Sequence, residues 1–127
     1  TDDFDKPNGL AFSPDEKLLY VVDSGKPHHM RRFRVSDDGR LSGGEVFATA
    51  TASIFDGFRV DTKGRVWTSE GDGVHCFDPD GTLIGKILIP ETVSNVTFGG
   101  PKRNRLFICG TTSLYSAFTT ATGSTLG

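Results

Sequence analysis

Hydrophobic and polar positions alternate along this chain in short runs, and the runs come in groups that repeat. Pro7-Asn8-Gly9-Leu10-Ala11-Phe12-Ser13-Pro14-Asp15 opens the first group. Phe55-Asp56-Gly57-Phe58-Arg59-Val60-Asp61 opens the second, and Ser94-Asn95-Val96-Thr97-Phe98-Gly99-Gly100 the third. Each begins on Asn or Asp, alternates through a short apolar strand and turns on Gly, Pro or Asp. A second strand follows each time: Leu18-Leu19-Tyr20-Val21-Val22, Arg65-Val66-Trp67-Thr68 and Arg105-Leu106-Phe107-Ile108-Cys109. Period-two alternation over runs this short is strand patterning. Recurrence at roughly forty residues is the spacing of propeller blades.

The pattern predicts four strands in the first blade, near 9–13, 18–23, 29–35 and 44–49. It predicts four in the second, near 57–61, 65–69, 73–78 and 83–88, and three in the third, near 95–98, 105–109 and 112–118. Turn chemistry separates them: Ser13-Pro14-Asp15, Asp37-Asp38-Gly39, Thr62-Lys63-Gly64 and Asp78-Pro79-Asp80-Gly81. No stretch sustains a 3.6-residue apolar period. The fold class is therefore all-β, a partial β-propeller over 1–127 with blades at about 7–50, 54–90 and 93–120. The Thr/Ser/Gly/Ala-rich tail, 119–127, is expected to be mobile.

Three blades raise a physical problem. A blade buries both faces against its neighbours, and closed propellers have about four to eight of them. Three in a row leave an apolar face uncovered at each end, so the chain reads as part of a ring. The third blade also lacks a fourth strand, which another segment would supply.

Composition narrows the function classes. A net charge of -2 spread without blocks gives no basic footprint for nucleic acid. No apolar run approaches the ~18 residues that span a bilayer, and the acidic start Thr1-Asp2-Asp3-Phe4-Asp5 is unlike a secretory signal. A cytoplasmic location is the matching expectation. Cys76 and Cys109 lack zinc-site spacing and read as free, buried strand thiols, with a disulfide between them as the alternative.

Asn8, Asp56 and Asn95 are the candidate chemistry. Each opens an innermost strand, and innermost strands line a propeller's channel. Amide and carboxylate oxygens suit hard divalent cations. Pro-Asn-Gly and Asp-Gly are also ordinary turn pairs, and residue type alone leaves both readings open. His28-His29 read as a surface loop, His75 and Trp67 as structural, and Asp23 as a solvated strand end. Glu70 and Asp72 resemble a calcium loop in composition only.

Three stretches resemble the gluconolactonase / senescence marker protein (regucalcin) family. They are Pro7-Asn8-Gly9-Leu10-Ala11-Phe12-Ser13-Pro14-Asp15 with Tyr20-Val21-Val22-Asp23-Ser24, Asp56-Gly57-Phe58-Arg59-Val60-Asp61 with Gly64-Arg65-Val66-Trp67, and Asn95-Val96-Thr97-Phe98-Gly99-Gly100 with Leu106-Phe107. The resemblance implies a six-bladed propeller of which this chain is the C-terminal half. It further implies a channel-bound divalent cation, Ca2+ first and Zn2+, Mg2+ or Mn2+ as alternatives, and hydrolysis of a lactone.

By the same resemblance Asn8 and Asp56 are metal ligands. A carboxylate beside a metal-bound water can also take its proton, which makes Asp56 the candidate catalytic base. Asn95, whose counterpart in the family is not a regular metal ligand, reads as lining the channel on the substrate side. The family's ligand glutamate belongs to blades outside this sequence. The partners implied are a small lactone and either the remaining N-terminal blades or a second copy of the chain. Unaided, the chain is expected to be inactive. The contrasting reading is a non-catalytic propeller fragment serving as an interaction or small-molecule-binding module.

Overall fold

A computed structural model describes residues 1–125. Among them are eleven strands and no helix, in three antiparallel sheets. Blade 1 is β1 (Pro7–Phe12), β2 (Leu18–Asp23), β3 (His29–Val35) and β4 (Leu41–Thr49). Blade 2 is β5 (Phe58–Val60), β6 (Val66–Glu70), β7 (Gly73–Phe77) and β8 (Leu83–Leu88). Blade 3 is β9 (Val93–Gly99), β10 (Arg105–Gly110) and β11 (Leu114–Phe118). Every blade is a meander in chain order, so each strand pairs with its sequence neighbour.

The alternation predicted most bounds within a residue or two. The largest difference is β4, which starts at Leu41 and not near 44. Gly43 and Gly44, both at positive φ, put an irregularity into the β3–β4 register there. A bulged residue breaks the alternation from which a strand is read. The short β5 shows the opposite effect: Asp56 and Gly57 were expected to begin it but stand just before it.

Two apolar layers hold the blades together. Between blades 1 and 2, Tyr20, Val22, Met30 and Phe47 meet Phe55, Phe58, Val60, Val66 and Phe77. The rings pack edge to face, Tyr20 on Phe47 with centroids 4.9 Å apart and Phe55 on Phe77 at 5.9 Å. Such pairs add roughly 0.5–1.5 kcal/mol beyond area burial. Between blades 2 and 3, Val74 and Trp67 meet Val96, Phe98, Leu106 and Ile108. The outward faces of blades 1 and 3 carry Leu10, Leu114 and Phe118, exposed at 64%, 71% and 74%.

The composition of 119–127 suggested mobility, and its described part is docked by backbone bonds. Thr62 N–H donates to Thr122 O (2.8 Å), Gly123 N–H to Arg103 O (2.8 Å) and Ser124 N–H to Val60 O (3.1 Å). Gly123 also bridges Asp61. This segment ties blade 2 to blade 3. Residues 126–127 of the expected mobile tail lie outside the described residues.

The inner strands lie side by side, β1 against β5 and β5 against β9. Gly9 and Gly57 make this closeness possible. A Cβ on Gly9 would collide with the Asp56 carbonyl oxygen, and one on Gly57 with Asn95 Oδ1. Neither glycine has a positive φ, so their role is close approach and not a turn. Asn95 is a movable side chain, but the Asp56 carbonyl is backbone. Gly9→Ala is therefore expected to push blades 1 and 2 apart and cost about 1–3 kcal/mol, measurable by denaturant titration. Gly57→Ala should cost less.

Candidate functional site

The sites of all three repeats meet where the inner strands converge. Asp56-Gly57 stands between Gly9 on one side and Asn95 on the other. Gly57 N–H donates to Ser94 O across the blade boundary at 2.9 Å. Residues far apart in sequence thus become neighbours, because each occupies the same point of its blade.

Asn8 is exposed on β1. Its Nδ2 donates to Ser24 Oγ at 3.2 Å, and Ser24 Oγ in turn donates to Phe55 O at 2.7 Å. The amide nitrogen is thereby engaged, and Oδ1 has no hydrogen-bond partner among the described residues. The same serine links Asn8 to the segment that carries Asp56.

Asp56 is half-buried. Its N–H donates to Ser69 Oγ at 3.0 Å, and that of Gly57 to the same oxygen at 3.1 Å. The backbone is held, while the carboxylate takes part in no hydrogen bond or ion pair among the described residues. Asn95 differs: its Oδ1 accepts from Val96 N–H at 2.9 Å.

Behind these residues lies a device that the sequence reading missed. Asp23 was expected to be a solvated strand end, yet it is buried. Its carboxylate accepts from Asp5 N–H (2.8 Å), Lys6 N–H (2.9 Å) and Gly25 N–H (2.9 Å). Burial raises its pKa, and these three donors outweigh burial and hold it below the ordinary carboxylate value.

Glu70, read above as part of a calcium-like loop, does the same in blade 2. It is fully buried and accepts from Thr51 N–H (3.1 Å), Ser53 N–H (2.7 Å) and Gly71 N–H (2.8 Å). Both acids end the second strand of their blade and collar the loop that leads into the inner strand. Buried carboxylates require such partners.

Blade 3 inverts the polarity. Glu91 sits on the entering loop and accepts from Thr112 N–H (2.9 Å) and Tyr115 O–H (2.8 Å), which lowers its pKa, the tyrosine foremost. A signal for the device was present in Asp23 and Glu70, each an acid closing the second strand of its blade with a serine next to it, after the acid in one and before it in the other.

The remaining candidates are structural. His75 is buried, with Nε2 2.6 Å from Asp72 Oδ1. Trp67 packs edge to face on Phe98 and donates from Nε1 to Asp61 at 3.0 Å. Both cysteines are free, but only Cys76 is buried; Cys109 is exposed, on the uncovered face of blade 3. Burial pushes the Cys76 thiol up to about 12, with the Asp61 charge adding to it. It is no nucleophile near neutral pH.

Asn8 Oδ1 and the Asp56 oxygens are hard donors that could serve Ca2+, which takes roughly 6–8 oxygens. No group of three or more His, Cys, Asp or Glu assembles among the described residues. The donors present fit the ion but are only part of a full set.

Comparisons with known proteins agree with this architecture. Residues 1–112 match the model of the SMP-30/Gluconolactonase/LRE-like region. A pentonolactonase of Haloferax volcanii is 33% identical over 107 residues, covering 80% of this chain and 37% of its own length. The structure of a gluconolactonase from Xanthomonas campestris superposes with a TM-score of 0.85 at 44% identity, over 91% of this chain and 38% of that one. Regucalcin from Agrobacterium tumefaciens, described as a calcium-binding protein, superposes with a TM-score of 0.74 at 31% identity, over 84% and 38%. The chain thus spans under two fifths of the length of these relatives.

Proposed function

Because the chain belongs to the SMP-30/gluconolactonase/LRE-like family, we propose that it supplies two ligands of a divalent cation in a lactone hydrolase. The observation that carries this reading is the convergence of Asn8 and Asp56. The Asn8 amide nitrogen and the Asp56 backbone N–H are held by serines, and their side-chain oxygens have no hydrogen-bond partner among the described residues.

Asn8 would present Oδ1 and Asp56 a carboxylate oxygen to Ca2+, with Zn2+, Mg2+ or Mn2+ as alternatives. The bound cation would act as a Lewis acid on the lactone carbonyl. The chain's own part is proton handling. As water oxygen bonds to the carbonyl carbon, Asp56 takes a water proton on a carboxylate oxygen. The ring C–O bond breaks, its electron pair stays on the ring oxygen, and the proton passes there to give the hydroxy acid. Asn95, beside Gly57, borders the substrate's place.

The rest of the ligand set would come from further blades, either of a longer chain or of a second copy. Calcium titration of the chain by calorimetry tests the reading. One weak site is expected, with no hydrolysis of glucono-1,5-lactone until the ring is completed. Absence of any binding heat at millimolar Ca2+ would sink it.

The incomplete donor set supports a second reading, a non-catalytic interaction module. On that reading removal of the Asp56 carboxylate leaves ion content unchanged.

A further inference from the structure

Ser69 is the only side chain that holds Asp56 by hydrogen bonds among the described residues. It lies on β6, fully buried, next to Glu70. Its Oγ accepts from two consecutive amides, Asp56 N–H at 3.0 Å and Gly57 N–H at 3.1 Å. A serine hydroxyl has two acceptor lone pairs, and both are engaged by this one segment. Backbone bonds alone would hold Gly57: it shares its N–H with Ser94 O, and its carbonyl accepts from Ser69 N–H at 2.9 Å. Asp56 has no such substitute, because it precedes β5 and its N–H has no strand partner.

We infer that Ser69 is the positioning residue for Asp56, fixing the direction in which its carboxylate leaves the backbone. Glu70 supports it from behind by collaring residues 51 and 53, upstream of Asp56. One strand end therefore orients the segment twice, through a hydroxyl and a carboxylate. Blade 1 has a related pair in the reverse order: Asp23 collars residues 5 and 6, and the Ser24 hydroxyl accepts from the Asn8 side-chain amide.

The inference rests on the metal-ligand reading only for its functional consequence, and the test separates the two. Backbone amide exchange by NMR and calcium calorimetry are measured on the chain and on Ser69→Ala and Ser69→Thr. In Ser69→Ala, Asp56 amide exchange is expected to rise at least about tenfold, the weakening expected from losing a hydrogen bond of this kind. The amides of Val66 and Val74 should stay unchanged, and the Ca2+ dissociation constant should rise about as much. Ser69→Thr, which keeps the oxygen, should restore both.

An unchanged Asp56 amide overturns the inference, and so does acceleration spread evenly over blade 2, which would make Ser69 merely structural. Unchanged calcium affinity beside a loosened Asp56 counts against Asp56 as a ligand, and so against the proposed function, while upholding Ser69 as its positioning residue. If the parent chain binds no calcium, the proposed function fails while the amide and threonine-rescue results still judge Ser69. Should the alanine variant not fold, Ser69→Cys keeps the volume and gives up most of the acceptor strength.

Discussion

Asp61→Ala is expected to destabilise the chain by about 3–5 kcal/mol, the range for stripping one partner from a buried ion pair. Asp61 is fully buried at the end of β5. One carboxylate oxygen accepts from Lys63 N–H (2.9 Å) and Arg65 N–H (3.0 Å), closing the turn to β6. The other accepts from Arg65 Nε (2.7 Å) and Trp67 Nε1 (3.0 Å). Alanine would strand a guanidinium, an indole N–H and two amides together. The consequence reaches beyond the turn, because Trp67, held by Asp61 through Nε1, packs on Phe98 of blade 3. Thermal unfolding should show a midpoint lower by on the order of 10 °C or more. A shift of one or two degrees would mean that water replaces these bonds cheaply.

Asp56→Ala should do the reverse, leaving stability within about 0.5 kcal/mol and removing ion binding. The Asp56 carboxylate makes no hydrogen bond among the described residues, whereas its N–H, which alanine keeps, does. Losing one of few protein oxygens on a hard cation should weaken Ca2+ by at least about a hundredfold, near 2.7 kcal/mol. Asp56→Asn keeps an oxygen but not the charge, and should fall between the two. Calorimetry of the three proteins, with melting curves as control, checks the order. Equal calcium binding by parent and alanine variant would remove Asp56 from the site and favour the interaction-module reading. The expected pair of results, ion binding lost at Asp56 and stability lost at Asp61, would divide function from stability between two residues five apart in sequence.

Much of the architecture was readable in the chain. The continuous apolar run Leu18–Val22 and the alternation of Met30–Val35 predicted β2 and β3 at the bounds observed. Turn residues placed the hairpins, and the repeated Asn or Asp before a short apolar strand marked the inner edge of each blade. What failed did so for local physical reasons. Gly43 and Gly44 hid the start of β4 inside a bulge. Cys109 was expected to be buried because its strand is apolar, yet it lies on a blade face that no neighbour covers.

The glycines and acids of the site were harder to read, since their roles depend on neighbours remote in sequence. Gly9 and Gly57 carry the signature of turns, but they are small so that the next blade's inner strand can approach. Asp23 and Glu70 look like solvated loop acids, and they are buried because three amides turn toward each.

The sequence by itself determined the all-β class, the three blades, and the three residues that reach the inner edge. Strand period and turn chemistry are local properties, and the repeat puts equivalent residues at equivalent points. Only the tertiary structure decided which of those residues keep free oxygens. That depends on where Ser24, Ser69 and the Val96 amide fall once the blades are packed. Asn95 spends its oxygen on its own strand, whereas Asn8 and Asp56 have their nitrogens held and their oxygens spare.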